Sequence, residues 1–192
     1  MICVQCGNLS DKPLCPRCLR EIDKETFISR FLQRCPTCGR PRWDFSYPCW
    51  WCSEHVAAYG RDGGILASLL GRYVYGREKK IAAAFAQMIR RDLPKGSVCI
   101  PVPSSRSIVR RNGFDPVLHM ARTSSVPVFE ALSRDRHDEL VLRRYDIPSD
   151  CFLFMLRYTD ETVRECRLLF ANRRLGVPSV YAIVLAPSVV FR

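Results

Sequence analysis

Four Cys-x-x-Cys pairs lie in the first quarter of the chain, at Cys3/Cys6, Cys15/Cys18, Cys35/Cys38 and Cys49/Cys52. One such pair says little. Four in succession supply eight thiolates, enough for two closed tetrahedral zinc sites of four cysteines each. Gly7 and Gly39 follow directly after second ligands, where the backbone has to curl round a metal, and Pro13, Pro36 and Pro48 stiffen the approaches. Sequential pairing, Cys3/Cys6/Cys15/Cys18 and Cys35/Cys38/Cys49/Cys52, gives two short ribbons, although interleaved pairing satisfies the same spacing.

A disulfide framework is the competing reading. No stretch near Met1 combines a basic segment with an apolar one, so the chain is expected in the reducing cytoplasm, with thiols free for metal. Cys99, Cys151 and Cys166 lie far from the cluster in apolar or helical runs and read as small core residues. His55, three residues past Cys52, is not needed as a ligand. Residues 1–56 hold too few aliphatic side chains for a core of their own, so metal has to supply their folding free energy. Closed four-cysteine sites leave no open coordination position, and both zinc ions are expected to be structural.

The 192 residues leave room for this module and one further domain, read as 65–192 after a polar linker at 53–64. A composition of 47% hydrophobic and 26% charged residues is globular, and no apolar run is long enough to span a bilayer, so no membrane partner is expected. Of the net charge of +11, residues 1–55 contribute little, with 8 Lys/Arg against 6 Asp/Glu. The remainder has 22 against 13, a basic balance that suits phosphate esters or nucleic acid.

Past the linker, Ile65–Leu70 is an apolar stretch broken by Gly71, and 78–93 has helical periodicity in Ile81, Ala84, Phe85, Met88 and Ile89. Val98–Val102 reads as a buried strand and Ser104–Asn112 as a basic loop, followed by a helix over 116–122 capped by Asp115. Val126–Leu132 and Cys151–Leu156 are candidate strands, 161–175 is a helix closed by Gly176, and Ser179–Leu185 is a last strand. Alternating strands and helices predict an α/β domain with a mostly parallel sheet.

The ribbon, Tyr73-Val74-Tyr75-Gly76, Ile100-Pro101-Val102-Pro103, and Arg110-Arg111-Asn112-Gly113-Phe114-Asp115-Pro116 with Ala121-Arg122 follow one another in an order that resembles the ComF family of competence-associated, phosphoribosyltransferase-like proteins. The resemblance covers nearly the whole chain. It implies a type I phosphoribosyltransferase-like fold behind a double zinc ribbon, and a role linked to the uptake or processing of transforming DNA. It also implies phosphate or pyrophosphate contacts at Arg110, Arg111, Thr159 and Thr162.

The chain departs from the family where the chemistry is done. That fold usually carries two acids at the end of a central strand, holding ribose hydroxyls and associated magnesium, then a Thr-Thr-Gly-x-Thr loop for the 5′-phosphate. Here Met155 and Leu156 stand in place of the acids, and the stretch through Thr162 is one residue short and lacks glycine. Neither side chain can bind magnesium or accept a hydrogen bond from ribose. Asp160 and Glu161 add negative charge where phosphate would sit. Neither magnesium nor phosphoribosyl pyrophosphate is therefore expected to bind, and the favoured reading is a degenerate binding or adaptor protein, touching single-stranded DNA or a DNA-processing protein such as a helicase. The alternatives are an active magnesium-dependent transferase and a plain zinc-ribbon binder of single-stranded DNA. His119 and His137 have no partner evident in the sequence. Arginine clusters at 134–144 and 164–174 are candidate DNA contacts.

Overall fold

A computed structural model describes residues 1–25, 33–34, 41–42, 56–61, 63–93, 96–149, 151–175 and 178–185. In chain order the elements are α1 (Pro16–Glu25), β1 (Gln33–Arg34), β2 (Pro41–Arg42), β3 (Val56–Arg61), α2 (Gly64–Val74), α3 (Ile81–Asp92) and β4 (Val98–Pro101). Then come α4 (Arg106–Asn112), α5 (Pro116–Thr123), β5 (Leu132–Arg134), β6 (Leu140–Leu142), β7 (Cys151–Tyr158), α6 (Asp160–Asn172) and β8 (Ser179–Leu185). The result is a mixed α/β fold around a parallel sheet of order β3-β8-β7-β4. Beyond β4, Val128 makes a further parallel bridge to Cys99, with Cys99 N–H donating to Pro127 O and Phe129 N–H to Cys99 O.

Strand β7 shows why the sheet lies at the centre. Its side chains alternate between two cores: Phe152, Phe154 and Leu156 on one face, Cys151, Leu153 and Met155 on the other. Strand β8 does the same, with Tyr181 and Ile183 on the first face and Val180 and Ala182 on the second. A strand buried on both faces reads as a continuous apolar run, as this one does. Helices α2, α3 and α5 cover the first face, and α6 with the β5–β6 hairpin covers the second. Cys99, Cys151 and Cys166 are all buried in these cores. Burial pushes the Cys99 thiol up, and desolvation with the nearby Glu165 charge pushes Cys166 up to about 12.

Several local expectations are corrected. The segment read as a linker supplies β3, an edge strand paired in parallel with β8 from Val56↔Val180 to Arg61↔Leu185. The apolar stretch at 65–70 is part of one helix that runs through Gly71 to Val74, because Leu66, Leu69, Leu70, Tyr73 and Val74 form a single buried stripe. The basic loop is helix α4: the Ser105 hydroxyl accepts from Ile108 N–H at its start, and Gly113 closes it at φ 73°. Helix α6 ends at Asn172, with Arg174 taking the left-handed conformation (φ 55°). Gly176 lies outside the described residues.

The expected cap of α5 is present, with Asp115 Oδ1 accepting from Val117 and Leu118 N–H. Among the described residues no helix is long and apolar enough to cross a membrane.

Candidate metal centre and the crevice above the sheet

The first two cysteine pairs meet. The Sγ atoms of Cys3, Cys6, Cys15 and Cys18 all lie within 4.8 Å of one another, with Cys6 and Cys15 3.8 Å apart. A tetrahedral zinc with bonds of about 2.3 Å sets its sulfurs about 3.8 Å apart, so the four residues fit that ion. Local sequence produces the arrangement. Gly7 adopts φ 76° directly after Cys6, and Gly7 N–H returns to Cys3 O at 3.0 Å. Pro16 opens α1 directly after Cys15, where the missing N–H costs nothing, and places Cys18 in the first turn.

The electrostatics ask for a cation. Burial would raise the Cys3 thiol, yet amide hydrogen bonds, including Cys15 N–H at 3.4 Å, outweigh it and hold the group down at about 6. Cys18 is pushed the other way, by burial and by the hydrogen bonds and charge of its cysteine neighbours. One thiolate therefore forms readily while the cluster resists further negative charge, until a divalent ion compensates it.

This centre is not a separate bead. Cys3, Leu14, Cys15, Cys18 and Ile22 belong to the same buried cluster as α2, α3 and the first face of the sheet. Arg72 on α2 donates from Nη1 to Val4 O, between two ligands, at 2.9 Å, and grips Glu78 through Nε (2.9 Å) and Nη2 (2.7 Å). That grip holds the Glu78 carboxyl below its usual range. Cys35, Cys38, Cys49, Cys52 and His55 lie outside the described residues. The antiparallel pair β1–β2, Gln33↔Arg42 and Arg34↔Pro41, brackets the Cys35/Cys38 pair in sequence.

The second region of interest is set by topology. From β4 the chain crosses to the Val128 side of the sheet, and from β7 it crosses to β8, so the direction of winding reverses between these adjacent strands. In open α/β sheets a crevice opens beyond the carboxyl ends of the strands at such a point. Here that position lies between Val102–Ser105, which follow β4, and Thr159, which follows β7.

The groups at its edge are largely engaged. Ser104 donates its N–H (3.1 Å) and hydroxyl (2.9 Å) to Asp115. The Thr159 hydroxyl accepts from Thr162 N–H at 3.3 Å and lies 2.8 Å from the Thr162 hydroxyl, which is ordinary capping of α6. Arg134, on the β5–β6 hairpin, donates to Pro103 O (2.9 Å) and Asp138 O (2.6 Å), leaning the hairpin over the β4–α4 loop. In the sequence Arg134 stands out only as part of a basic cluster; the hairpin's signals are the apolar run Leu140-Val141-Leu142 and the turn-forming Asp135 and Asp138.

Met155 and Leu156 are only 3% and 7% exposed, on opposite faces of the sheet. Strand β7 continues past them, pairing Arg157 with Val184 and Tyr158 with Leu185, and α6 follows after one residue. Of the stretch compared with a phosphate loop, 157–162, Arg157 and Tyr158 are thus strand and 160–162 are helix, with Thr159 alone between them. Arg110 and Arg111 are exposed in the last turn of α4, four and five residues beyond its start at the crevice, and Arg111 lies over the Tyr75 ring at 4.9 Å. The four residues named for phosphate thus fall into two groups, one capping α6 and one beside α2.

His119 does have a partner. The Tyr73 hydroxyl is 2.7 Å from Pro116 O and 2.9 Å from His119 Nδ1. A carbonyl cannot donate, so the hydroxyl hydrogen goes to Pro116 O and Nδ1–H of His119 donates to Tyr73. Burial, with the positive charge of Lys79, lowers the His119 pKa and favours this neutral ring. His137 accepts from Arg136 Nε at 2.9 Å on the exposed hairpin turn.

The family model for the RecR zinc finger domain of the four-cysteine type matches residues 1–19, the stretch that carries the four converging cysteines. No curated protein matches the chain. The N-terminal segment is thus a four-cysteine zinc-finger module, and zinc is the metal its donor set and geometry fit.

Proposed function

We propose that this chain is a ComF-type protein of the cytoplasm: a double zinc ribbon ahead of β3 and a phosphoribosyltransferase-like domain whose sheet begins with β3 (Val56–Arg61), linked to uptake or processing of transforming DNA. It works as a binding or adaptor protein, not as a transferase, with single-stranded DNA or a DNA-processing protein such as a helicase as partner. The observation that carries this reading is the end of β7. Transfer from phosphoribosyl pyrophosphate needs acids aimed into the crevice to position magnesium and ribose, and a loop of free amides for phosphate. The chain has buried Met155 and Leu156 at the acid positions, and continued strand pairing where the loop would begin.

The reversal of winding between β4 and β7 supports the fold assignment, and the β1–β2 pair flanking Cys35 and Cys38 supports a second zinc site. Calorimetric titration with phosphoribosyl pyrophosphate and magnesium tests the proposal. No saturable heat is expected. Micromolar, magnesium-dependent binding would return the chain to the active transferases.

A further inference from the structure

The turn between α2 and α3 is a built shape that neither the metal centre nor the crevice uses. Gly76 N–H bonds to Gly71 O (3.3 Å) and Glu78 N–H to Arg72 O (3.2 Å), while Arg77 takes φ 58°. A Cβ on Gly76 would meet Arg72 O at 2.6 Å, so only glycine allows this close return. The turn seats against the end of α4: Asn112 Nδ2 donates to Val74 O at 2.8 Å, and Lys79 Nζ lies 4.5 Å from the centre of the Phe114 ring.

This packing collects exposed positive charge from two elements, Arg77, Lys79 and Lys80 from the turn and Arg110 and Arg111 from α4. Nearby acids are already engaged. Glu78 is held by Arg72, and Asp115 accepts from Ser104 and from the first amides of α5. Among the described residues no carboxylate pairs with any of the five cations. Tyr75, at the start of the turn, is 60% exposed, with the Arg111 guanidinium over one face of its ring. On the hairpin side the arginines are more engaged: Arg144 is paired with Asp146 at 2.6 Å, Arg143 donates to the Ser133 hydroxyl and Arg134 is bound to carbonyls, while Arg173 lies over the exposed Tyr145 ring at 5.3 Å.

We propose that this surface binds single-stranded nucleic acid, with backbone phosphates over the cations of the turn and of α4 and an unpaired base stacked on Tyr75. An exposed aromatic ring backed by arginine is a platform for a free base, which a duplex keeps inside its own stack, and spaced cations follow a chain of phosphates better than they enclose one anion. The proposal rests on the DNA-handling reading above and says where on the molecule it is carried out.

The test is fluorescence anisotropy of a labelled oligodeoxythymidylate with the full chain, across a series of salt concentrations. Affinity should fall with salt on a log–log slope of up to about −3.5, from some 0.7 per phosphate neutralised. Arg110→Ala with Arg111→Ala should shrink that slope by about 1.4. Tyr75→Ala should weaken binding roughly tenfold, whereas Tyr75→Phe, which keeps the stacking face, should bind like the parent.

If the oligonucleotide binds but these variants leave affinity and slope unchanged, the proposed surface is overturned while the DNA-handling reading stands. If instead Arg143→Ala with Arg144→Ala removes binding, the strand lies on the other face and the proposal is again overturned. No binding at low salt overturns both the surface and DNA as the partner. Unchanged circular dichroism of the Tyr75 variants, expected for an exposed side chain, ties any loss to the contact.

Discussion

The cysteine knuckle and the crevice above β4 and β7 are both places where this fold gathers chemistry, and they differ in what their residues hold up. At the knuckle the donor atoms are also the fold: Cys3, Cys15 and Cys18 are buried, share a core with α2 and α3, and need a cation to tolerate one another's charge. At the crevice the architecture stands without any reactive group, because capping bonds and apolar side chains satisfy it internally. On the phosphoribosyltransferase-like reading proposed above, the scaffold keeps the place of a site while side chains that pack stand where acids would do chemistry.

The sharpest way to break this contrast is to remove the metal. Binding of structural zinc contributes apparent free energies of roughly 10–16 kcal/mol in small finger peptides, as much as or more than the whole stability of many domains. Stripping zinc, or replacing Cys15 by Ser, is therefore expected to unfold the N-terminal segment and to lower the melting temperature of the whole protein, since the two share a core. With the second four-cysteine site proposed above, elemental analysis should find about two zinc ions in the parent, and one fewer in Cys15→Ser. A chelator that removes zinc without changing the thermal transition would show the knuckle to be ornamental.

The reverse experiment at the crevice installs the missing acids. Met155→Asp with Leu156→Asp is not expected to make a metal site, because the two side chains lie in opposite cores. Each aspartate becomes a buried charge without a partner, at a cost on the order of 3–5 kcal/mol. Met155→Leu, a volume-conserving change, should cost under about 1.5 kcal/mol. Urea denaturation separates the two outcomes, and a doubly acidic variant as stable as the parent that binds magnesium would mean the strand end is misread.

Legibility in the sequence follows how locally each feature is determined. The knuckle is readable because its ligand spacing is a covalent constraint, and β8 because its apolar run is closed by turn signals. The Asp115 cap and Pro116 announce α5 for the same reason. Helix α4 is not readable by periodicity, since three of its seven residues are arginine and its only aliphatic pair, Ile108 and Val109, is adjacent. Its signals are the caps alone, Ser105 and Gly113. Strand β3 carries weak strand formers, Ala57, Ala58 and Gly60, and its conformation is fixed by pairing with β8 more than a hundred residues away. The gathering of Tyr75 with Arg111 is likewise invisible, because it depends on the α2–α3 turn docking on α4, which no local pattern reports.

The smallest expected effect lies where the knuckle meets the turn between α2 and α3. Arg72 spans them, one nitrogen on Val4 O within the knuckle and two on Glu78 at the start of the α3 turn. Its side chain is 36% exposed, so water replaces part of what a truncation removes, and Arg72→Ala should cost only about 1 kcal/mol in overall stability. Its specific signature is kinetic. With Val4 O released, the Cys3–Cys6 turn loses its brace against α2, and zinc should transfer to a chelator faster than from the parent. Glu78→Gln, which weakens the ion pair but leaves the Val4 bond in place, should release zinc at the parental rate. Equal release from all three proteins would show that the knuckle and the sheet share a core without sharing this strut.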